Sequence, residues 1–323
     1  MQQVDRILTR QVALLRVSAD TRKRILSRLK RTGAKVIAQV ASDLGTIKNK
    51  RQLNQLLNVT DEIIKSEFAE MSGVMDKLLT ELEEKEVTFA ASLLEISPLA
   101  RPKALKLVKD VLILGAPSED WWGKQSDTLN FNFASLVRQA VADNLTVDQI
   151  ARRVRPLFST TERGIRALVN TSLASASNNA RLAVFDSSAG DLESVQQIST
   201  LDGHTSDVCM AYSGARWTLP DHKPIGDAPD FNNGPPRHFN CRSVLVPVTI
   251  FSDEPGQRVS ELGLVDRNIT FDEFLKMKTK EQQDEMLGEG KAQLWRDGVI
   301  TLRDLLNQEG RPLTLKQLEK LHV

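Results

Sequence analysis

The sequence predicts a mainly α protein: extended helical N-terminal and central regions, a small β-containing knuckle with a long loop, and a C-terminal module of short helices. Three observations predict it. Apolar residues recur at three- and four-residue intervals through most of the chain before Gly190, the period of a helix with one buried face. Alternating and turn-forming residues then concentrate up to about Val248, as strands and loops require. Finally, Thr-x-x-Glu and Thr-x-x-Gln pairs punctuate the tail, and each can cap a helix reciprocally.

In chain order, the first helical stretch runs from Val4 to about Leu44, with Ile7, Leu8, Leu15, Ile25, Leu26, Leu29, Val36, Ile37 and Val40 on its apolar side and Lys/Arg on the others. Gly33 and Gly45 are expected breaks or C-caps. A second long helix is expected from Thr60 to about Ile96, ended by Pro98 and Pro102. Ser118 is an expected cap, with Glu119 and Asp120 in the first turn behind it. A further helix follows from about Asn132 to Asp143. Thr146 with Gln149 opens another through Arg155, and Ser159 with Glu162 a long one to about Phe185, whose small residues Ala174 to Ser177 allow close packing. Strands are expected at Glu193 to Ser199, Ala215 to Leu219 and Arg242 to Val248. Pro247 cannot donate to a ladder, so the last of these is an edge or ends there. Between the second and third, Pro220 to Asn240 reads as a long loop. After about Ser252 the chain reads as helical again, with capping boxes at Thr270/Glu273, Thr279/Gln282 and Thr314/Gln317, a related pair at Thr301/Asp304, and stops at Gly288 and Gly298. The chain divides accordingly into a helical region 1–115, a central helical region 116–188, a knuckle 189–250 and a helical module 251–323.

Composition narrows the function classes. The 323 residues are 41% hydrophobic and 26% charged, enough apolar matter for a sizeable core. The 43 basic and 42 acidic side chains nearly cancel, but unevenly: residues 1–51 hold 13 Lys/Arg against 3 acids, and residues 52–100 hold 3 against 10. No apolar run approaches the roughly 18 residues of a membrane span. Asp5, Arg6 and Arg10 leave no signal-peptide core, which predicts a cytoplasmic product. Trp121, Trp122, Trp217 and Trp295 are expected packing anchors. Cys209 and Cys241 are too few for a disulfide framework and read as free thiols or metal ligands.

Arg22, Lys23, Arg24, Arg28, Lys30, Arg31 and Lys35 crowd a few turns beside an apolar stripe. They can form a solvated face, or one that docks on an acidic surface such as residues 61–86 of this chain. They can equally contact nucleic-acid phosphates, which need cation density but no particular order.

Both cysteines and three of the four histidines fall in the knuckle: His204, Cys209, His222, His238 and Cys241. His238-Phe-Asn-Cys241 can put two metal ligands on one turn, with Cys209 as a third and Asp202, His204 or His222 as a fourth. The incomplete ligand count favours a metal-free knuckle held by hydrogen bonds from His238, Asn240 and Arg242 over a zinc site. Asp221, His222, Asn232 or Asn233, and His238 superficially match an HNH-type nuclease, but no clear helix follows to carry the last ligand. Neither cysteine lies in a recognisable nucleophile motif.

Ile198-Ser-Thr-Leu-Asp-Gly-His-Thr-Ser-Asp-Val-Cys209, then Ser213, Gly214 and Trp217, then Gly234-Pro-Pro-Arg-His-Phe-Asn-Cys-Arg242, resemble the signature of phage Mu F-like head morphogenesis proteins, the minor head or minor capsid proteins. Leu114-Gly-Ala-Pro with Trp121, Trp122 and Gln125, and Gln283-Asp-Glu-Met-Leu-Gly288 followed by Leu313-Thr-Leu315, are similar to members of the group. The resemblance covers roughly residues 110–323. His204 stands where the family usually has arginine, Met210 to Tyr212 lacks a second cysteine, and Ser243 replaces the last one. These departures weaken the zinc reading and leave Asp202, Cys209, His238, Cys241 and Arg242 to pin two loops through buried polar contacts. The resemblance implies a non-enzymatic virion component without a cofactor. It would sit inside the capsid at the portal vertex, be made in the host cytoplasm, and act in procapsid assembly and in DNA packaging or ejection. Its implied partners are the portal protein and, beyond it, packaged DNA, scaffold or major capsid protein. The enzymatic alternative is the HNH-like nuclease.

Overall fold

A computed structural model describes residues 3–95, 112–249 and 256–322, and the fold is mainly α. Four long helices come first: α1 (Gln3–Asp43), α2 (Lys50–Leu93), α3 (Ser118–Ala142) and α4 (Val147–Ser187). A single 3-10 turn, Leu44–Thr46, follows α1 at the expected break around Gly45.

Several helix boundaries differ from the sequence expectation, each for a local reason. Gly33 does not break α1, because its missing Cβ is a packing device: a Cβ there would lie 3.3 Å from the Phe158 ring. α2 starts well before Thr60, at a cap the Thr/Ser pattern does not include. Asn49 accepts from the Gln52 N–H at 3.0 Å while the Gln52 side chain accepts from the Lys48 N–H at 2.8 Å. Thr60 lies buried inside the helix with its hydroxyl bonded to the Leu56 carbonyl. The end expected at Ile96, Pro98 and Pro102 lies outside the described residues. Ser118 is already helical, Pro117 holds the cap position without a side-chain bond, and α3 runs unbroken through Asn132. The Thr146/Gln149 box is made in both directions. Ser159 instead bonds back to the Arg155 carbonyl inside α4, which continues past Pro156. Interior proline costs about 3 kcal/mol. Ile150, Val154, Ile165, Leu168 and Val169 stay buried on both sides of it, and that shared face offsets the cost.

The contacts divide the chain into two compact units. One comprises Ala13–Leu82 and Asp110–Leu173 and is built from helices. Within it α1 runs antiparallel to α4, since Ser18 bonds Asn170 at 2.7 Å and Gly33 meets Phe158. Phe68 of α2 packs edge-on against Trp122 of α3 at 6.4 Å.

The other unit comprises Met1–Val12, Glu83–Lys109 and Ala174–Val323. Its four-stranded antiparallel sheet has the order β3-β2-β1-β4, from β1 (Ser194–Ile198), β2 (Arg216–Trp217), β3 (Pro224–Ile225) and β4 (Val244–Val248). α5 (Asp207–Tyr212) lies between β1 and β2 in sequence. β4 occupies the edge, as Pro247 requires. Every residue of β4 is nevertheless buried, and its outward Leu245 N–H and the Ser243 carbonyl are met by the side chain of Asn178 on α4, at 3.1 and 3.3 Å. A buried strand edge thus leaves neither group without a partner.

From Gln257 the expected helix is instead a hairpin, β5 (Gln257–Ser260) with β6 (Gly263–Asp266). Its polarity is inverted: Arg258 and Ser260 face inward while Val259 and Leu264 are exposed, so no ordinary apolar alternation marks it. The tail then follows its caps. α6 (Phe271–Lys276) and α7 (Lys280–Leu287) carry complete capping boxes from Thr270/Glu273 and Thr279/Gln282, and Gly288 separates α7 from α8 (Glu289–Arg296). The Thr301 N–H bonds Asp304 ahead of the 3-10 turn Arg303–Leu305, and Thr314 and Gln317 bond reciprocally at the start of α9 (Leu315–His322).

One polar cluster lies deep in this unit. Arg181 and Glu86, both fully buried, meet at 2.8 Å, and Arg10 approaches the other carboxylate oxygen at 2.6 Å. Phe89 lies beneath both guanidiniums. No helix among the described residues is long and apolar enough to cross a membrane.

Candidate functional site

The sheet brings the two motif segments together. β1 ends at Ile198 and leads into the Thr200 to Ser206 turn, while the loop Gly226 to Arg242 returns beside it before entering β4, the neighbour of β1. Asp202 and Arg242 therefore meet across that junction as a fork-to-fork pair, Arg242 Nη2 to Asp202 Oδ1 at 2.7 Å and Nη1 to Oδ2 beside it. Asp202 also accepts from the His204 N–H at 3.0 Å and the Thr205 hydroxyl at 3.2 Å. Burial pushes this carboxyl up, but the Arg242 bond and charge outweigh it and hold the group below its ordinary range.

Ser206 caps α5 by accepting from the Cys209 N–H at 3.3 Å. The cap sets Cys209 facing His238 and Cys241: Sγ to Nε2 is 3.2 Å and Sγ to Sγ is 3.5 Å. His238 Nδ1 lies 2.9 Å from the Phe239 carbonyl, which can only accept, so Nδ1 carries a proton and Nε2 faces the cluster. The Ser206 hydroxyl reaches that Nε2 at 2.8 Å. Cys209 is drawn down to about 6 by the hydrogen bond from Cys241, against the opposing effect of burial. Cys241, as the donor, is pushed well above its ordinary value. The two thiols are coupled, with the proton favoured on Cys241. Half-buried Arg237 stands beside the pair, bonds Gln197 at 2.8 Å and the Phe231 carbonyl at 3.0 Å, and stacks on Tyr212.

This set fits a zinc ion in chemistry and reach: one imidazole and two cysteine sulfurs, which a metal would hold as thiolates. Its ligand atoms lie within 4.8 Å of one another, and tetrahedral Zn–S and Zn–N bonds need donor separations of roughly 3.5–3.8 Å. A cleft of about 10 Å³ beside Ser206, Cys209 and His238 has room for about one water as a fourth ligand. Among the described residues this is the group of three metal-ligating side chains that converges. His204 lines the same cleft without joining the donors, and Asn240 lines it from a left-handed backbone position at φ 61°. Ser243 bonds Ser199, whose hydroxyl is also 2.7 Å from the Cys209 carbonyl.

The residues of the nuclease reading are dispersed among other contacts. His222 bonds Asp186 at 2.7 Å and stacks on Phe231 at 4.3 Å. Asp221 pairs with Lys223 in solvent, Asn232 bonds Tyr212 and the Glu309 carbonyl, and His238 belongs to the cysteines.

The basic segment on α1 splits into two sets. Arg28 and Lys35 both bond Glu67 of α2 at 2.6 Å, and Arg22 bonds Asn170 of α4 at 2.6 Å. Lys23, Arg24, Lys30 and Arg31 are exposed, and no carboxylate among the described residues pairs with them. The structure adds three cations that the sequence reading omitted: Arg152, Arg155 and Arg163 are exposed on α4, the helix beside α1 in the same unit. Their place beside α1 depends on helix pairing, although the Arg-Arg-Val-Arg run is visible locally.

Comparison with protein-family models, with curated proteins and with solved structures finds no match to this chain.

Proposed function

We propose that the chain is a structural minor head protein of a phage, bound at the portal vertex inside the capsid and acting in procapsid assembly, with a DNA-facing surface on its helical unit. The observation that supports this reading best is the convergence of the motif residues on one another: Asp202 on Arg242, and Cys209 on His238 and Cys241. Residues that pair with one another across two loops pin those loops into a knuckle that can present a surface, and such a surface suits assembly. In this reading Cys209, His238 and Cys241 would hold zinc, which supplies a cross-link between the two loops.

The exposed cations Lys23, Lys30, Arg31, Arg155 and Arg163 give the helical unit an unpaired positive surface. Phosphate contacts of this kind are lost steeply as salt rises. Purified protein incubated with plasmid and magnesium or manganese is expected to retard the DNA at low salt, to release it by roughly 0.2–0.5 M salt, and to leave it unnicked. Changing Lys23, Lys30 and Arg155 together to Glu is expected to abolish retardation at the lowest salt. Nicking that disappears in His238→Ala would overturn the structural reading in favour of a nuclease, and retardation indifferent to salt would remove the DNA surface.

A further inference from the structure

A cavity of about 320 Å³ with none of the clustered cysteines or His238 in its lining is walled by β1, β2, β4, Arg258 of β5 and the Arg267 to Thr270 segment before α6. Arg216, Arg258 and Arg267 line it together with Gln196, Asn268 and Thr270, and no carboxylate is among its lining residues. The volume is at the low end of small-ligand sites, about 300–1,000 Å³.

Arg258 is the anomaly. It is 8% exposed, its Nη2 donates to the Ile269 carbonyl at 2.9 Å, and its Nε is buried without a partner. The two other arginines of this unit that are as deeply buried have carboxylates: Glu86 meets Arg181 and Asp5 meets Arg267. Arg258 pairs with no carboxylate among the described residues, and burial pushes its guanidinium down to about 10 with nothing opposing it. A buried cation costs several kcal/mol unless a charge compensates it, and water cannot supply that charge. The inverted hairpin has the same implication, because it turns Arg258 inward while leaving Val259 in solvent. A planar guanidinium with an open donor, as Arg258 has at Nε, matches a tetrahedral oxyanion in geometry as well as charge.

We propose that this cavity binds a phosphate group, held by Arg258 together with Arg216 and Arg267 of its lining. The site is independent of the head-protein reading and stands or falls by itself. Full-length protein in a buffer free of phosphate and sulfate is titrated calorimetrically with sodium phosphate and, separately, with a nucleoside 5′-monophosphate, against sodium chloride of equal ionic strength. One-to-one saturable binding of phosphate is expected, with a dose-dependent rise in Tm. Equal affinity for both probes assigns the free anion, and tighter binding of the nucleotide assigns an esterified one. Arg258→Met is expected to weaken binding by about tenfold or more and to erase the phosphate-dependent rise, while melting no lower than the parent without phosphate, because the uncompensated charge is gone. Should Arg258→Met fail to fold, Arg258→Lys, which keeps the charge and loses the fork, is expected to show the same loss of affinity. No saturable heat from either probe, or unchanged affinity in whichever Arg258 variant folds, would overturn the proposal.

Discussion

Glu86→Ala is expected to cost the fold about 3–5 kcal/mol, because it strands the fully buried Arg181 guanidinium without its counter-charge. Two further features set the size of the effect. Arg181 has been pulled down from its ordinary value chiefly by burial, with Glu86 opposing that loss, so the carboxylate is what keeps the cation tolerable. Arg10 shares the same carboxylate from a partly exposed position and can reach water when it is removed, whereas Arg181 cannot. Urea unfolding measures the cost through the shift in midpoint at constant slope. The double change Glu86→Leu with Arg181→Met is expected to recover most of it, since an apolar pair of similar size needs no compensation. A loss under about 1 kcal/mol for Glu86→Ala would mean that water or rearrangement satisfies Arg181, contrary to its complete burial.

The knuckle gives the second large effect. Zinc added to chelator-treated protein is expected to bind one-to-one, to release protons as Cys241 ionises, and to raise Tm by several degrees, since metal binding to a folded site adds directly to stability. Cys209 is the thiol drawn down and Cys241 the one pushed up, so the protons released on binding come chiefly from Cys241. His238→Ala is expected to remove the stoichiometric binding. If neither parent nor variant binds zinc, the knuckle is held by its hydrogen bonds and the Asp202–Arg242 pair alone.

How much of this was legible beforehand depends on the range of the chemistry involved. Capping boxes at Thr270, Thr279 and Thr314 were readable because donor and acceptor lie three residues apart. Pro247 placed β4 at an edge because a missing N–H is a property of one residue. Ser159 and Glu162 misled for the same reason: the local signal was present, but a buried face running through Pro156 overrode it. The β5–β6 hairpin was hidden by its inward Arg258 and Ser260, which break the rule that apolar residues face the core. Within the knuckle, the residues that converge were readable from the motif resemblance, whereas their partners were not. His238 is held by Ser206 and the Phe239 carbonyl, and Arg237, absent from the expected set, supports the cluster from Gln197 and Tyr212. Long-range matches such as Glu86 with Arg181 have no sequence period at all, and neither does a cavity assembled from β1, β2 and the hairpin.

The uneven charge acquires a structural account from the same contacts. Part of the basic start is spent on the acidic sequel, through Arg28 and Lys35 on Glu67 and Arg10 on Glu86. What remains on α1, joined by Arg152, Arg155 and Arg163 of α4, is the surface proposed for DNA.

Co-expression with the portal protein of the same phage, followed by affinity capture of the portal at low salt, tests the central proposal most directly. The chain is expected to co-elute with the assembled portal ring and to lose retention when Arg242→Ala loosens the knuckle. A chain that is folded and soluble yet absent from the captured portal would contradict it.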